Sequence, residues 1–310
     1  MLSSGAVGDD PRSILLAKLR HQDELSDRFV AHLRAGHEDA VAAIVCYGSL
    51  LSSLTRTPTS YHDFYVIVDS LRGYHARWRD RVVGGVLPPL IYYRTFDDGL
   101  RCKYCVLTRM QLAREMGPPV RDLHNVGRFS KRVGVVWTRD DAAFEEVVAA
   151  CLHAARTLVP HALALLGARF TLDQFIRMLL SLSYLGEERV AEEAKVDALF
   201  AAERDHYRRF YRALLAESGL HPIAAETYER PAAPLKERRA TERLLARSRL
   251  RGQLRWPKYM VTVDNWLEVA LDKVERHHGV RVELSERERR WPLIFGWPKF
   301  LALRRRGVVK

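Results

Sequence analysis

The spacing of apolar residues changes near residue 140. Short apolar runs dominate before this point, and after it apolar residues recur every three or four positions. Runs of four to eight apolar residues are typical of buried strands, whereas the longer recurrence is typical of helices. The pattern therefore predicts a mixed α/β region that is followed by a helical one.

In the first region, the apolar stripe at 14–33 predicts a helix. A second helix is predicted at 108–116 with Thr108 as its N-cap. Glycines and prolines at 84–89 predict a turn that leads into an apolar run ending at residue 93. The predicted strands are 39–47, 64–68, 100–107 and 133–137.

In the second region, helical spacing extends over 140–166, 172–185 and 190–218, and we expect Pro160 to interrupt the first of these helices. Three prolines make 222–234 an irregular segment, and a further amphipathic helix is predicted at 265–277. These changes predict three parts: a mixed α/β domain at 1–139, a helical domain at 140–235 and a basic C-terminal segment at 236–310.

The 310 residues carry a formal net charge of +12. This balance favours a polyanionic partner, such as nucleic acid, anionic lipid or a nucleotide, although a merely basic surface has the same composition. The charge is concentrated at 236–260, where nine Lys or Arg accompany two Glu.

Four cysteines are present, and two of them form a C-x-x-C pair. No second pair completes a zinc site, so we expect reduced thiols in or near the core. The first ten residues lack the apolar core of a secretory signal, and no apolar run approaches eighteen residues. We therefore expect a cytoplasmic protein without a membrane-spanning helix. The four cysteines are Cys46, Cys102, Cys105 and Cys151.

The strongest chemical signal lies between 44 and 69. An apolar run ends in Tyr47-Gly48-Ser49, and Asp63 opens the next apolar run after a polar loop. Glycine lets a backbone approach a triphosphate, the serine hydroxyl can hold its oxygens, and a carboxylate at the next strand can hold a bridging metal ion. The spacing is typical of a nucleotidyltransferase site, and an ordinary β-hairpin explains it equally well.

Many nucleotidyltransferases carry two acids separated by one residue at the second strand. Here the first position is Tyr61, so Asp63 stands alone. Asp69 lies about 20 Å further along an extended strand and cannot bind the same ion unless the chain turns back. If two metal ions are used, the second carboxylate must come from elsewhere.

Six short motifs occur in a fixed order across roughly residues 40–215. They are Tyr47-Gly48-Ser49, Asp63-Phe64, Gly85-Val86, Lys103-Tyr104, Gly127-Arg128-Phe129-Ser130-Lys131 and Ser183-Tyr184-Leu185-Gly186-Glu187-Glu188-Arg189. In these motifs and in their order, the chain resembles the mitochondrial phosphatidate cytidylyltransferase family and its bacterial relatives. It departs from the family at Leu50, where a second glycine is usual, and at Arg132, where proline is usual.

The resemblance implies an α+β fold, with a nucleotidyltransferase-like mixed sheet and flanking helices, followed by a helical, winged-helix-like domain. It implies a Mg²⁺-dependent enzyme that makes CDP-diacylglycerol and pyrophosphate from CTP and phosphatidic acid. The implied catalytic residues are Asp63, Lys103 and Lys131, with Asp63 as the metal ligand. The implied nucleotide-binding residues are Tyr47, Gly48, Ser49, Arg128, Tyr184 and Arg189.

Phosphatidate lies in a bilayer, so we expect an enzyme that is peripheral on the inner face of the cell membrane. Aromatic and cationic residues at 291–310 would settle at the headgroup boundary of an anionic membrane, unless the aromatics pack inside the protein. Nucleic acid is not an expected partner of this enzyme. The residues of this tail are Trp291, Phe295, Trp297, Lys299, Phe300, Arg304, Arg305, Arg306 and Lys310.

Two alternative functions stay open. One is a nucleotidyltransferase that acts on RNA or on a small hydroxyl acceptor, with the basic stretch 236–260 following a phosphate backbone. The other is a non-catalytic, membrane-associated adaptor on a nucleotidyltransferase scaffold, which the missing second acid would allow.

Overall fold

The computed structural model of the chain describes residues 10–51, 61–186, 193–262 and 266–305. The chain forms two compact units, 1–255 and 256–310. The division into domains at 139 and 235 stays a prediction.

A five-stranded mixed sheet forms the centre of the first unit, in the order β3-β4-β2-β1-β5. Strands β2 and β4 are parallel, and the other neighbouring pairs are antiparallel. The predicted mixed sheet is confirmed. Its strands are β1 (Val41–Tyr47), β2 (His62–Val68), β3 (Leu90–Thr95), β4 (Arg101–Thr108) and β5 (Gly134–Thr138).

Short helices accompany this sheet. Thr108 caps α5 as predicted, because its side chain and Gln111 exchange hydrogen bonds with each other's backbone. The single helix predicted at 14–33 is wrong: the Asp23 side chain accepts a bond from the Ser26 N–H at 2.6 Å and starts a second helix. The helices are α1 (Pro11–Leu19), α2 (Glu24–Arg34), α3 (Leu71–Tyr74), α4 (Trp78–Val86), α5 (Arg109–Met116) and α6 (Leu123–Phe129).

The predicted turn at 84–89 begins later than expected. Gly84 lies inside α4, where a Cβ atom would come within 2.7 Å of Leu90 Cδ1. This glycine therefore serves close packing of α4 against β3, and the chain turns after it, at the cis Pro88–Pro89 bond.

The rest of the first unit is helical, as predicted, with one small antiparallel sheet of β6 (Arg169–Thr171) and β7 (Thr227–Glu229). Helix α8 matches its predicted bounds. The expected interruption at Pro160 is wrong, because α7 continues through it and the buried residues on either side supply packing that offsets a lost hydrogen bond. The helices are α7 (Asp141–Leu165), α8 (Leu172–Leu185), α9 (Glu193–Ala202), α10 (Arg204–Glu217) and α11 (Leu235–Thr262), which begins in this unit and ends after residue 255.

Among the described residues, α7 alone is long and apolar enough to cross a membrane, but 67% of its apolar window is buried inside the protein. This burial is typical of a core helix. All four cysteines are free and buried, which confirms their predicted place in the core.

Further helices belong to 256–310. Exposed apolar side chains include Trp291 (53% exposed) and Ile294 (61%), while Lys299 forms an ion pair with Glu288 at 2.8 Å. The helices are α12 (Trp266–His278), α13 (Glu286–Arg290), α14 (Pro292–Phe295) and α15 (Trp297–Arg305).

Candidate active site

Asp63 is the centre of the candidate site. It is the second residue of β2, and the strand register places it beside Tyr47 of β1 and Lys103 of β4. The Lys103 Nζ lies 3.5 Å from Asp63 Oδ1, and their side chains are 17% and 27% exposed. A carboxylate and an ammonium group therefore form a half-buried ion pair at one face of the sheet.

Lys103 stays charged in this position. Burial lowers the pKa of its ammonium group, but the Asp63 carboxylate, together with Tyr93 and Cys105, raises it by more, so the pKa lies above its ordinary value. Lys103 is thus a permanent positive charge beside the candidate metal ligand.

Gly48 faces the same carboxylate. Its φ of +71° is the left-handed conformation that favours glycine, and a Cβ atom at this position would lie 3.4 Å from Asp63 Oδ2. Gly48, at the end of β1, therefore lies beside the carboxylate near the start of β2. Ser49 follows Gly48 in a 3-10 turn that extends over Gly48–Leu51.

Helix α6 covers one side of Asp63. Tyr65, two residues along β2 and on the same face, donates a hydrogen bond to Asn125 Oδ1 at 3.0 Å and packs on Phe129. From the same helix, the Arg128 guanidinium lies 5.8 Å from the Tyr47 ring centroid. The helix thus brings Arg128 close to the strand ends that carry Tyr47 and Asp63.

Lys131 joins α6 to the end of α8. Its Nζ donates to Ser183 Oγ at 2.6 Å and lies 4.1 Å from the Tyr184 ring centroid. A Cβ atom on Gly127 would come within 2.5 Å of Ser183 Cβ, so the missing side chain permits this close crossing of the two helices. Lys131 and Tyr184, which lie 53 positions apart in the sequence, are therefore in direct contact.

The structure brings most of the predicted site residues together. Tyr47, Gly48, Asp63 and Lys103 are neighbours on the sheet, with Arg128 over Tyr47. Lys131 and Tyr184 form a second group that α6 connects to the first. Arg189 lies outside the described residues.

Asp69 takes no part in this site. It lies just beyond the far end of β2, where it forms ion pairs with Arg139 at 2.6 Å and with Arg109 at 3.3 Å. The extended strand between Asp63 and Asp69 keeps the two carboxylates apart, as the sequence predicts.

The Asp63 carboxylate fits the oxygen donors that a magnesium ion prefers. Magnesium is often bound by one or two carboxylates together with substrate phosphates, and Gly48 leaves room beside the Asp63 carboxylate. Within the described ranges no group of three His, Cys, Asp or Glu residues could hold a metal ion. Asp63 is the carboxylate that the described residues place beside Gly48.

A buried charge network fixes the start of α6. Asp122 caps this helix, and its carboxylate accepts bonds from Arg251 Nε at 2.6 Å and Arg255 Nη2 at 2.9 Å. Burial raises the pKa of Asp122, but Arg255, His124 and the bond from Arg251 lower it by more, to about 2. Sequence reasoning missed this network, because charges so far apart in the sequence suggest solvated side chains.

Helix α11, which carries both of these arginines, directs further cations to groups of the protein. Arg247 donates to the Val120 carbonyl and Arg249 to the Leu185 carbonyl. With Arg251 and Arg255, four of the nine cations at 236–260 therefore have protein partners close to α6 and α8.

A cluster beside Asp63 was also missed. Arg101 Nη2 donates to the Tyr61 hydroxyl at 2.8 Å, its guanidinium lies 4.5 Å from the Tyr61 ring centroid, and Tyr93 packs edge-on against Tyr61. The period of two along a strand could have revealed it, since Tyr61 and Arg101 precede Asp63 and Lys103 by two positions.

The chain is similar to the proteins of one described family. The profile of a protein family described as "Phosphatidate cytidylyltransferase, mitochondrial" matches residues 43–258, more than half of the chain. A solved structure of a nucleotidyltransferase-like protein from Exiguobacterium sibiricum is also similar, with 10% identity, a TM-score of 0.27, and coverage of 81% of this chain and 80% of that one. No curated protein matches the chain.

Proposed function

The chain belongs to the mitochondrial phosphatidate cytidylyltransferase family, and on this basis we propose that it transfers the cytidylyl group of CTP to phosphatidate. The products are CDP-diacylglycerol and pyrophosphate. The observation that carries this proposal is the family match, which covers Gly48, Asp63 and Lys103 as well as helices α6 and α8.

The reaction needs no general base in this scheme. A phosphatidate monoester is anionic near neutral pH, and one of its oxygens attacks the α-phosphorus of CTP in line. A new P–O bond forms, the bond between the α-phosphorus and the bridging oxygen breaks, and pyrophosphate leaves with the electron pair. The protein therefore contributes position and positive charge.

Gly48 and the residues that follow it would receive the triphosphate, because the backbone there can approach closely. Arg128 and Lys131 would neutralise its charge, and an arginine can grip a phosphate through two hydrogen bonds. Asp63 would hold Mg²⁺, which supplies charge neutralisation at the phosphates when it is bound. Lys103 keeps Asp63 in place through their ion pair.

We further propose a cytoplasmic enzyme that is peripheral on the membrane, since its acceptor lies in the bilayer.

The alternative in which 236–260 follows an RNA backbone is weaker, because four cations of this stretch donate to groups within the protein. Fewer cations are then left for a polyanion.

A transfer assay tests the proposal. Purified protein with Mg²⁺ is given CTP or ATP labelled at the α-phosphate, and either phosphatidate vesicles or RNA. We expect label from CTP in a lipid product together with released pyrophosphate. Label in RNA would favour the nucleic-acid alternative, and no transfer to any acceptor would favour the adaptor.

A further inference from the structure

Next to Asp63 lies a cationic group that the scheme above does not use. Tyr61, just before β2, and Arg101, the first residue of β4, precede Asp63 and Lys103 by two positions. The period of two places them on the same sheet face, about 7 Å away. Tyr93 of β3 lies beside Lys103 in the register. We define these three residues, Tyr61, Tyr93 and Arg101, as the outer cluster.

The outer cluster holds its arginine in place. The Arg101 guanidinium both donates to the Tyr61 hydroxyl at 2.8 Å and stacks on the Tyr61 ring at 4.5 Å. Tyr93 supports Tyr61 from the side, with ring centroids 5.5 Å apart and planes at 89°. All three side chains are half-buried. An arginine that is positioned in this way loses little conformational entropy when it binds an anion.

Asp63 separates the outer cluster from the cations proposed for the triphosphate. Across the sheet, Tyr47 of β1 lies on one side of Asp63, with the Arg128 guanidinium 5.8 Å from its ring centroid. Lys103 of β4 lies on the other side, on the strand that also carries Arg101. Positive groups therefore lie on both sides of the candidate metal ligand.

Cations on both sides of Asp63 suit an in-line transfer. The attacking oxygen and the leaving pyrophosphate must lie on opposite sides of the α-phosphorus. If the triphosphate occupies the α6 side, the attacking group enters from the side of Arg101. Tyr61 also stands where many nucleotidyltransferases carry the first of two acids. The position beside Arg101 therefore holds a tyrosine, where a second carboxylate would repel an anionic acceptor.

We propose that the outer cluster is the acceptor subsite and that Arg101 binds a phosphate monoester there. This inference rests on the proposed function, because it assigns the second substrate of the same site. A phosphate acceptor is already ionised and needs a positive partner. A hydroxyl acceptor needs a base instead.

Steady-state kinetics with a water-soluble, short-chain phosphatidate tests the assignment without a membrane. Arg101→Gln should raise the KM for this acceptor about ten- to a hundredfold, as expected when a charged hydrogen bond is lost, and should leave the KM for CTP unchanged. Arg101→Lys should recover part of the loss. The matched control is Arg94→Gln, an exposed arginine on β3 that neighbours Cys102 and faces the other side of the sheet. An unchanged acceptor KM in Arg101→Gln, or an equal rise in the KM for CTP, would overturn the assignment.

A binding measurement separates this inference from the proposed function. Calorimetric titration with glycerol 3-phosphate, a phosphate monoester without acyl chains, should show binding that Arg101→Gln removes and Arg94→Gln keeps. Binding through Arg101 without any transfer to phosphatidate would support the subsite and reject the proposed acceptor. Transfer to phosphatidate that does not depend on Arg101 would reject the subsite and keep the function. Absence of phosphate-monoester binding by the wild-type protein would reject the subsite as well.

Discussion

Asp63 combines two roles that a substitution can separate. Asp63→Asn removes the negative charge that would hold a metal ion, and we expect turnover to be abolished. The same change leaves the charged Lys103 without its partner at 3.5 Å, so the free energy of unfolding should fall by about 1–3 kcal/mol. Cytidylyl transfer and urea unfolding measure the two effects.

Asp69→Asn is the matched control for this substitution. Asp69 follows the same strand and also carries arginine partners, but it lies at the opposite end. It should lose a similar or smaller amount of stability and keep full turnover. Near wild-type transfer by Asp63→Asn would exclude Asp63 as the metal ligand.

The separation of two partners along the sequence explains which contacts of the site could be predicted. Gly48 and Asp63 could be paired from the sequence, because adjacent antiparallel strands place the end of one beside the start of the next. Asp122 and Arg255 could not, because 133 residues separate them and each resembles an ordinary surface charge. The outer cluster lay between these cases, since strand alternation alone would have placed Tyr61 near Asp63.

Helix α6 is the element on which the candidate site depends most. Its crossing with α8 relies on Gly127, where a Cβ atom would come within 2.5 Å of Ser183. Gly127→Ala should separate the two helices, reduce stability by about 1–3 kcal/mol and displace Lys131 from Tyr184. Weaker binding of Mg·CTP by calorimetry and a lower unfolding midpoint would check this.

Gly252→Ala is the control for Gly127→Ala, because it makes the same change at a helical glycine without close neighbours. Gly252 lies in α11, where a Cβ atom would meet no neighbouring group within 4 Å, so alanine there should keep or raise the unfolding midpoint. If Gly127→Ala behaves in the same way, the crossing of α6 and α8 is more adaptable than its geometry indicates.

The network that anchors α6 should also respond to pH. The pKa of Asp122 falls from its ordinary 3.8 to about 2 on folding. Its contribution, of the order of 2 kcal/mol, is therefore present above about pH 4 and is lost as the pH falls toward 2. Asp122→Asn should be less stable than wild type at pH 7, because the buried Arg255 and the half-buried Arg251 lose their partner.

Urea unfolding at pH 7 and pH 3 tests this assignment. Between these values, the loss of stability should be smaller in Asp122→Asn than in the wild-type protein. An identical loss in both proteins would show that other carboxylates account for the acid sensitivity.

A helix could be predicted from the sequence where its own residues favour the helical conformation and its apolar face also packs in the core. Thr108 marks the start of α5 through its own side chain, and α8 has a regular apolar stripe. Helix α6 was not predicted, because seven residues that include Asn125 and Gly127 have weak helical propensity, and capping by Asp122 and burial stabilise it instead.

At the scale of the whole molecule, contact with a membrane is the open proposal. Trp291 and Ile294 are exposed within 256–310, where side chains of this kind can enter a headgroup layer. The substitutions Trp291→Ser and Ile294→Ser, made together, should reduce sedimentation with vesicles that contain phosphatidate and should spare binding of Mg·CTP. Because both side chains are exposed, the change should leave the unfolding midpoint nearly unchanged.

Trp78→Ser supplies the control. Trp78 is 74% exposed on α4 and is followed at helical spacing by the exposed Val82 and Val86. If Trp78→Ser reduces sedimentation and the substitutions in the tail do not, the contact lies on α4 and the tail is excluded.

The half-buried pair of Lys103 and Asp63 has a consequence for the order in which the ligands assemble. In the absence of nucleotide, a divalent cation that approaches Asp63 meets a fixed ammonium charge 3.5 Å from the carboxylate, and the repulsion disfavours its stay. A triphosphate reverses this balance, because its negative charge attracts the ion and Lys103 alike. We therefore expect calorimetry with MgCl₂ alone to show little heat and titration with Mg·CTP to show saturation. The free enzyme would then bind no metal ion. In each catalytic cycle the ion would bind together with the nucleotide and leave together with pyrophosphate.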